Sequence, residues 1–446
     1  MSHYDLDSAL SPWMDAIADA PQILVGFSGG VDSTLLLELL CQRIDPSLIT
    51  AVHINHGLSA NADGWQASAD HYCKQLGVNF YCQRVQVKST GQGFEAAARE
   101  QRYAVFEDLI KPGGLLFLGH HADDQAETVL YRLLRGSGPK GLSAMSSSRP
   151  IASGTLIRPL LTWKKSQLIA CAKQLKLDWI EDESNLNNNF DRNYLRNRVL
   201  PEIAQRWPDY AESLQQSAEL CGQSEQLANE MAKDDFAHLD LREECSGWSI
   251  VIDNFRALSS LRQRNILRHW SVSSDSPQPV GRIIDEILHS VVNARDDATP
   301  KVIWQSLKWT RFQGRLYLLA AQTEKFDLQQ QTEWSMQAPL TLADNSVLQC
   351  NKIIGSGLKA NVGPVVIRYR QGGERCKPCD RDHSNSLKKL LQERAIPPWL
   401  RDRVPLLYVG DTLVAVANLW VCEGWNAVSG EAGLEVTWQL NQVDVL

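Results

Sequence analysis

The segment Ile23-Leu24-Val25-Gly26-Phe27-Ser28-Gly29-Gly30-Val31-Asp32-Ser33 constrains the fold of this chain more than any other. Its apolar opening reads as a strand buried on both faces. Ser33-Thr34-Leu35-Leu36-Leu37, carried on through Leu39 and Leu40, reads as a helix. Between them sits a turn of serines and glycines. Glycine lets the backbone come close to an anion, and the free N–H groups of a helix start point toward it. No lysine closes this turn, unlike the G-K-[ST] ending whose lysine reaches the outer phosphates of a nucleotide. Serine hydroxyls, backbone amides and one aspartate suit pyrophosphate held while the α-phosphorus is attacked. Adenylation with loss of pyrophosphate is the expected chemistry.

The flanking pattern extends this unit into a domain. Strand signals over Ile23–Phe27, Ile49–Ile54, Asn79–Val87 and Leu115–Leu118 alternate with helical stretches over Ser33–Gln42, Trp65–Leu76 and Phe94–Leu109. That alternation predicts an α/β, doubly wound parallel sheet with ligands at the carboxyl ends of its strands. From Asp209 to Phe236 runs a long polar helix whose apolar marks are Leu214, Ala218, Cys221, Leu227 and Met231. A mainly helical unit follows, with its best helices at Leu261–Arg268 and Arg282–Val292, and Val302–Leu319 alternates like a hairpin. The remainder is β-rich, with a lysine-bearing helix near Ser386–Arg394. The expected domains are 1–208 (α/β adenylation), 209–325 (mainly helical) and 326–446 (basic, α+β).

Bulk properties exclude some classes. No apolar run is long enough to cross a bilayer, and no charged-then-apolar signal segment opens the chain. Ten cysteines stand singly apart from Cys376 and Cys379, the usage of a reduced cytoplasm. A structural zinc needs four ligands, and no partner for that pair is visible. The net charge of −7 argues against indiscriminate nucleic-acid binding. Yet Arg368 to Arg403 carries ten basic residues against five acidic ones, a local balance of +5. A domain that grips a polyanion shows such an asymmetry, and so does a solvated charged face.

Further constellations carry chemistry. Gly119-His120-His121-Ala122-Asp123-Asp124-Gln125-Ala126-Glu127-Thr128 follows a strand and opens a helix, so Asp123 shares a face with Glu127 and His120 with Asp124. The H-E-x-x-H spacing of catalytic zinc is absent. Carboxylates beside a triphosphate loop suit Mg²⁺ or a substrate ammonium; a capped helix start is the structural alternative. Val52-His53-Ile54-Asn55-His56 ends the second strand and either faces the nucleotide or shapes the loop. Arg132, Arg135, Lys140 and Arg158 form a basic group, and Arg192 and Arg196 lie four apart on a helix suited to phosphate or nucleobase contacts.

The Ser28–Ser33 hexapeptide resembles that of the PP-loop ATP pyrophosphatases. Within that group the chain is similar to the tRNA(Ile)-lysidine synthetases. The resemblance rests on His53–Leu58, Gly119–Thr128, Leu133–Gly138, Arg158–Leu161, Glu181–Asn185, Arg192–Arg198, Arg368–Arg375, Leu387–Glu393 and Ile396–Trp399. It spans nearly the whole chain, with a weaker middle. It implies that ATP adenylates the wobble cytidine of a CAU-anticodon isoleucine tRNA at its C2 oxygen, and that free L-lysine displaces AMP through its ε-amino group. Ser28, Gly29, Gly30, Val31, Asp32 and Ser33, with His53 and Gly119, would bind ATP. Asp32 and Asp124 would hold Mg²⁺. Asp32, His120, Asp123, Asp124 and Glu127 would share metal, ammonium and proton handling, with their individual roles open. Arg192, Arg196 and Arg198 would meet the anticodon loop, and Arg368, Arg370, Arg375, Lys388 and Lys389 the tRNA body, giving a salt-sensitive complex. A cytoplasmic protein is implied, and a homodimer is left open. Ser59 departs from the arginine common in the family after H-G-L, and the Cys376/Cys379 pair is also unusual.

Three other readings compete. A PP-loop tRNA thiolase would need a sulfur-carrying cysteine or an iron–sulfur site near the sheet; Cys41, Cys73 and Cys82 are the candidates. A non-catalytic tRNA-binding protein would have a decayed loop, whereas Asp32, Ser33 and Asp123–Glu127 are intact. A small-molecule amide ligase leaves the basic C-terminal region unexplained.

Overall fold

A computed structural model describes residues 7–57, 61–85, 94–183, 187–244, 246–274, 276–295, 298–321 and 326–440. Ser59, the end of the His53–Leu58 block and the end of the Glu181–Asn185 block lie outside them, as does the expected domain boundary at 325/326. The chain divides into two compact units, Met1–Leu227 and Ala228–Leu446.

The first unit opens with α1 (Asp7–Leu10) and α2 (Met14–Asp19). It then alternates β1 (Ile23–Gly26), α3 (Val31–Cys41), β2 (Ile49–Asn55), α4 (Ala62–Leu76), β3 (Asn79–Arg84), α5 (Phe94–Leu109) and β4 (Leu115–Phe117). After these come α6 (Ala122–Leu134), α7 (Pro139–Leu142), the hairpin β5 (Ser148–Ile151) and β6 (Gly154–Ile157), and α8 (Lys165–Gln174). The sheet order is β3-β2-β1-β4-β6-β5, parallel except for β5, which pairs antiparallel with β6 at the edge. The doubly wound parallel sheet is as expected. Its order reverses between β1 and β4, and the crevice beyond their carboxyl ends is where ligands bind in such sheets.

Why the leucines of α3 are buried on most sides follows from its place. Leu35, Leu36, Leu37, Leu39 and Leu40 share one buried cluster with Val25 and Phe117 of the sheet, Ala69 and Cys73 of α4, and Leu168 and Cys171 of α8. On the opposite face, Phe106 and Ile110 at the end of α5 cover Leu24, Val52, Leu116 and Leu156. With both faces of the parallel sheet covered, its strand ends are the available place for polar chemistry.

Helices α9 (Asp191–Tyr194) and α10 (Leu200–Arg206) are joined by a π-type turn over Leu195–Val199, and α11 (Tyr210–His238) follows. The long helix is present, but its buried positions are Ala211, Ala218, Ala232, Asp235 and Phe236, while Leu227 and Met231 are exposed. Of the apolar marks read in sequence, Ala218 is buried, Leu214 and Cys221 are half-buried, and only Leu227 and Met231 face outward.

In the second unit the helical region holds α12 (Ile252–Ala257), α13 (Ser260–Ser273) and α14 (Gly281–Glu286), with a π-type turn over Ile287–Val292. It also carries an antiparallel sheet of β7 (Arg242–Glu244), β8 (Gly247–Val251), β9 (Lys301–Trp304), β10 (Leu307–Phe312) and β11 (Arg315–Ala320), ordered β7-β8-β11-β10-β9. The hairpin expected over Val302–Leu319 is therefore three strands of a larger sheet. Trp270 and Trp309 meet edge to face at 5.1 Å in its core, a contact worth about 1 kcal/mol beyond the area buried.

The C-terminal part is β-rich, as expected, and its lysine-bearing helix runs over Leu387–Glu393, capped by Ser386. Trp399 ties this part to the preceding sheet, edge-on to Tyr317 at 5.1 Å and donating its indole N–H to Ser246 Oγ at 3.1 Å. Cys376 is buried and turns toward Cys422 rather than Cys379, which is exposed.

Candidate active site

The turn after β1 is held open by its own side chains. Gly29 has φ +83°, and a Cβ there would lie 2.6 Å from Ile180 Cδ1, so a side chain is excluded twice over. Ser28 Oγ accepts from Gly30 N–H at 3.3 Å and lies 3.1 Å from Ser33 Oγ, while Ser33 Oγ donates to the Gly30 carbonyl at 3.0 Å. Gly30 caps α3 with no side-chain bond. The helix start therefore presents its first N–H groups, from Val31 onward, to an anion.

Gly119, after β4, packs directly on this turn. A Cβ on it would stand 3.0 Å from the Asp32 carbonyl and 3.2 Å from Ser33 N. That closeness carries the Gly119–Glu127 segment into the site. His121 caps α6 reciprocally with Asp124, whose Oδ2 accepts from His121 N–H at 3.1 Å. The structural alternative for this motif thus also holds: Asp124 closes a capping box. His121 Nε2 lies 3.3 Å from Asp124 Oδ2 and 3.8 Å from Asp32 Oδ2, so one imidazole bridges the two aspartates. Among the described residues, Asp32 Oδ1 is buried without a hydrogen-bond partner. An orphaned carboxylate oxygen beside an anion-binding turn and a second aspartate fits a hard cation that shares its remaining ligands with phosphate.

The carboxylates divide by environment. Asp123 Oδ2 accepts from the Lys165 backbone N–H at 2.7 Å and its Oδ1 from Tyr210 at 3.3 Å, so this side chain seats α8 and α11. Burial pushes Asp124 upward, but His121, His120 and Arg196 outweigh it and hold its carboxyl below the ordinary value. For Glu127, which is 1 % exposed, burial wins over Arg196, and the carboxyl sits above its ordinary value. Two acids one helical turn apart are thus driven in opposite directions.

Arg192 and Arg196, expected to meet the anticodon loop, lie beside these acids. Arg196 Nη2 is 2.8 Å from Glu127 and 3.1 Å from Asp124, and Arg192 is 3.6 Å from Glu127. The π-type turn after α9 carries Arg196, and Arg198 on the same turn is exposed. Beside them opens a cavity of about 210 Å³, its polar wall made by Asp123, Glu127, Arg196 and Tyr210 and its apolar wall by Leu200 and Pro201.

His53 is buried and donates Nδ1–H to the Phe27 carbonyl at 2.9 Å, so its side chain shapes the end of β1. His120 accepts at Nδ1 from Arg158 Nε at 3.2 Å; burial lowers its pKa to about 3, against the pull of Asp124, and it is neutral.

Lys165 was not legible in the sequence. Its Nζ lies 2.5 Å from Asp32 Oδ2, so the cation absent from the turn is supplied from the start of α8. The residues are 133 positions apart, and no local spacing could have announced them. Burial meanwhile pushes the thiols of Cys41 and Cys73 up to about 12. Burial raises Cys82 as well, and a raised thiol disfavours the thiolate that sulfur transfer uses.

In the second unit the C-terminal basic residues are unevenly committed. Arg370 pairs with Asp402 at 2.6 Å, and Arg368 stacks on Tyr408 with Asp411 at 3.4 Å. Arg375 donates to the Ser384 carbonyl, Lys389 is 3.9 Å from Glu393, and Lys388 is exposed.

Residues 3–203 match the PP-loop domain, 251–317 the TilS substrate binding domain and 365–438 the TilS substrate C-terminal domain. The chain is 37% identical over 422 residues to the tRNA(Ile)-lysidine synthase of Coxiella burnetii, covering 93% of this chain and 92% of that one. It is 38% identical over 432 residues to the enzyme of this name from Shigella flexneri (94% and 96%). Against that of Vibrio parahaemolyticus it is 39% identical over 413 residues (90% and 92%). A PP-loop site and two substrate domains, matched along nearly their whole length to such enzymes, show that the chain belongs to the tRNA(Ile)-lysidine synthase family.

Proposed function

We propose that this enzyme joins lysine to C2 of the wobble cytidine in a CAU-anticodon isoleucine tRNA, in two steps at one site. In the first, the cytidine C2 oxygen attacks the α-phosphorus of ATP and pyrophosphate leaves. In the second, the ε-amino nitrogen of lysine attacks C2 and the C2 oxygen departs with AMP. The observation that carries this reading is the His121 bridge between Asp32 of the anion-binding turn and Asp124 of the carboxylate pair. It puts a phosphate site and a cation-accepting site side by side.

Several residues have roles in that scheme. The open N–H groups of α3 and Lys165 Nζ face the phosphates and oppose the charge that builds as pyrophosphate leaves. Asp32 and Asp124 would hold Mg²⁺, which when bound neutralises phosphate oxygens. The cavity beside Glu127 suits lysine: Leu200 and Pro201 face its methylene stem, and the carboxylates face its ammonium. That ammonium must shed a proton before its nitrogen can attack. Glu127, with its carboxyl raised by burial, is the acceptor, while Asp124 stays ionised. Arg196 occupies both acids in the structure described here, and it yields Glu127 when an ammonium arrives.

The test is transfer of radiolabelled lysine into acid-precipitable tRNA with ATP and Mg²⁺. Minor isoleucine tRNA is compared with a transcript whose wobble cytidine is uridine. Label in the first alone, with AMP released, is the expected result. AMP formed without label in either would move the assignment to another nucleophile, sulfur first.

The C-terminal basic residues are assigned to the tRNA body. Lys388→Ala/Lys389→Ala is expected to weaken tRNA binding and lower its salt slope by about 2, with little change in the rate at saturating tRNA. An unchanged affinity and slope would make this surface a solvated face.

A further inference from the structure

The carboxyl edge of the sheet carries a second cationic group that neither adenylation nor lysine binding uses. Arg99 and Tyr103 lie one turn apart on α5, Arg149 lies on β5 at its pairing with Leu156, and Arg158 follows β6 directly. Their side chains converge on one phenol. Arg99 Nη2 donates to Tyr103 Oη at 3.2 Å, and Arg158 Nη2 approaches the same oxygen at 3.5 Å. The guanidiniums of Arg99 and Arg149 stand 4.9 and 5.1 Å from the centre of the Tyr103 ring. Arg158 is 3 % exposed and is fixed by the Ser146 carbonyl at 2.8 Å and by His120 Nδ1 at 3.2 Å.

Among the described residues, none of these three arginines has a carboxylate partner at ion-pair distance. The surroundings register the imbalance. The Tyr103 hydroxyl, though burial raises it, sits below its ordinary value because Arg99 and Arg158 act on it. Arg102 and Arg158 further oppose a positive charge on His120, whose own burial already does so. Like charges drawn together at a half-buried place repel, and an anion between them removes the cost.

The geometry points to a phosphate site in which Arg99, Arg149 and Arg158 hold a phosphodiester of the RNA next to the nucleotide being modified. This rests on the RNA-ligase reading above. Phosphates of ATP already have the α3 turn and Lys165. The Gly119–His120 segment stands between that turn and Arg158, with Gly119 packed on Asp32 and His120 bonded to Arg158. A base brought to the turn from a single-stranded loop is splayed out of its stack, and its backbone must be held at the edge it enters from. Planar guanidiniums suit that task, since they offer paired donors to phosphate oxygens.

The test is titration calorimetry of the full chain, without ATP or lysine, at several salt concentrations. The probes are an anticodon stem-loop RNA and, separately, inorganic pyrophosphate. Arg99→Gln and Arg149→Gln are each expected to raise the RNA Kd roughly tenfold and to lower the salt slope by about 0.7, the value for one single-strand phosphate contact. Arg99→Lys should restore the slope, and pyrophosphate affinity should not move. Unchanged RNA affinity and slope in both Gln variants would overturn the proposal, as would a wild-type chain without RNA affinity. Weakened pyrophosphate binding with RNA unaffected would give the site to ATP instead and overturn it equally. Intact RNA binding without lysine transfer in the wild type would sink the ligase reading alone.

Discussion

Asp32→Ala is expected to lose pyrophosphate release by at least about 10²-fold, the scale of removing one preorganised electrostatic contact to a transition state, while binding tRNA within about twofold of the wild type. The asymmetry follows from where Asp32 sits. It stands on the first turn of α3 with one carboxylate oxygen on Lys165 and the other buried without a partner among the described residues. Removing the carboxylate takes away the proposed cation ligand, frees Lys165 from its position and leaves His121 facing only Asp123 and Asp124. None of this touches the arginines along the sheet edge or the C-terminal basic residues. Asp32→Asn, which keeps shape and removes charge, should be nearly as inactive, and that separates charge from packing. Isotope exchange between pyrophosphate and ATP in the presence of tRNA measures the step directly. Exchange near the wild-type rate in both variants would remove Asp32 from the adenylation site.

Glu127→Gln should split the two half-reactions. Pyrophosphate release is expected to persist, whereas lysine transfer should fall by about 10²- to 10⁴-fold, the range for losing a positioned base. Glutamine keeps the volume and a hydrogen bond for Arg196 but cannot take a proton. The sign of the pH dependence follows from burial. Glu127 is a base only when ionised, and burial raises its carboxyl, so wild-type transfer should decline on acidification at a higher pH than an ordinary carboxylate would dictate. That acid limb should vanish in Glu127→Gln. Single-turnover assays, with pyrophosphate and labelled lysidine product followed in the same sample, give both rates. Equal loss of both steps would make Glu127 an anchor for Arg196 rather than the base.

How much of this was legible depends on the range over which each signal acts. The strand–turn–helix at Ile23–Leu40 is local: its apolar run, its glycines and the helix that follows all lie within a short stretch, so sheet, helix and anion site could be read together. The same holds for the Gly119–Glu127 motif, where neighbours on one helix share a face. The long helix shows the limit. Of its apolar marks Ala218 is buried, yet Leu227 and Met231 are exposed while the unmarked Ala232 and Phe236 are buried, because which face turns inward depends on the neighbours it meets in space.

What the sequence by itself determined is therefore the class of chemistry: a parallel sheet whose first turn takes an anion, a carboxylate motif after a later strand, and a family of RNA ligases. Which groups meet was decided by tertiary structure. Lys165 reaches Asp32 across 133 residues, and Arg196 crosses from the π-type turn to Asp124 and Glu127. Arg99, Arg149 and Arg158 meet at Tyr103 from three separate elements. The physical reason is that charge interactions depend on distance and burial in space, and folding the chain into a sheet makes neighbours of residues whose spacing in sequence carries no trace of it.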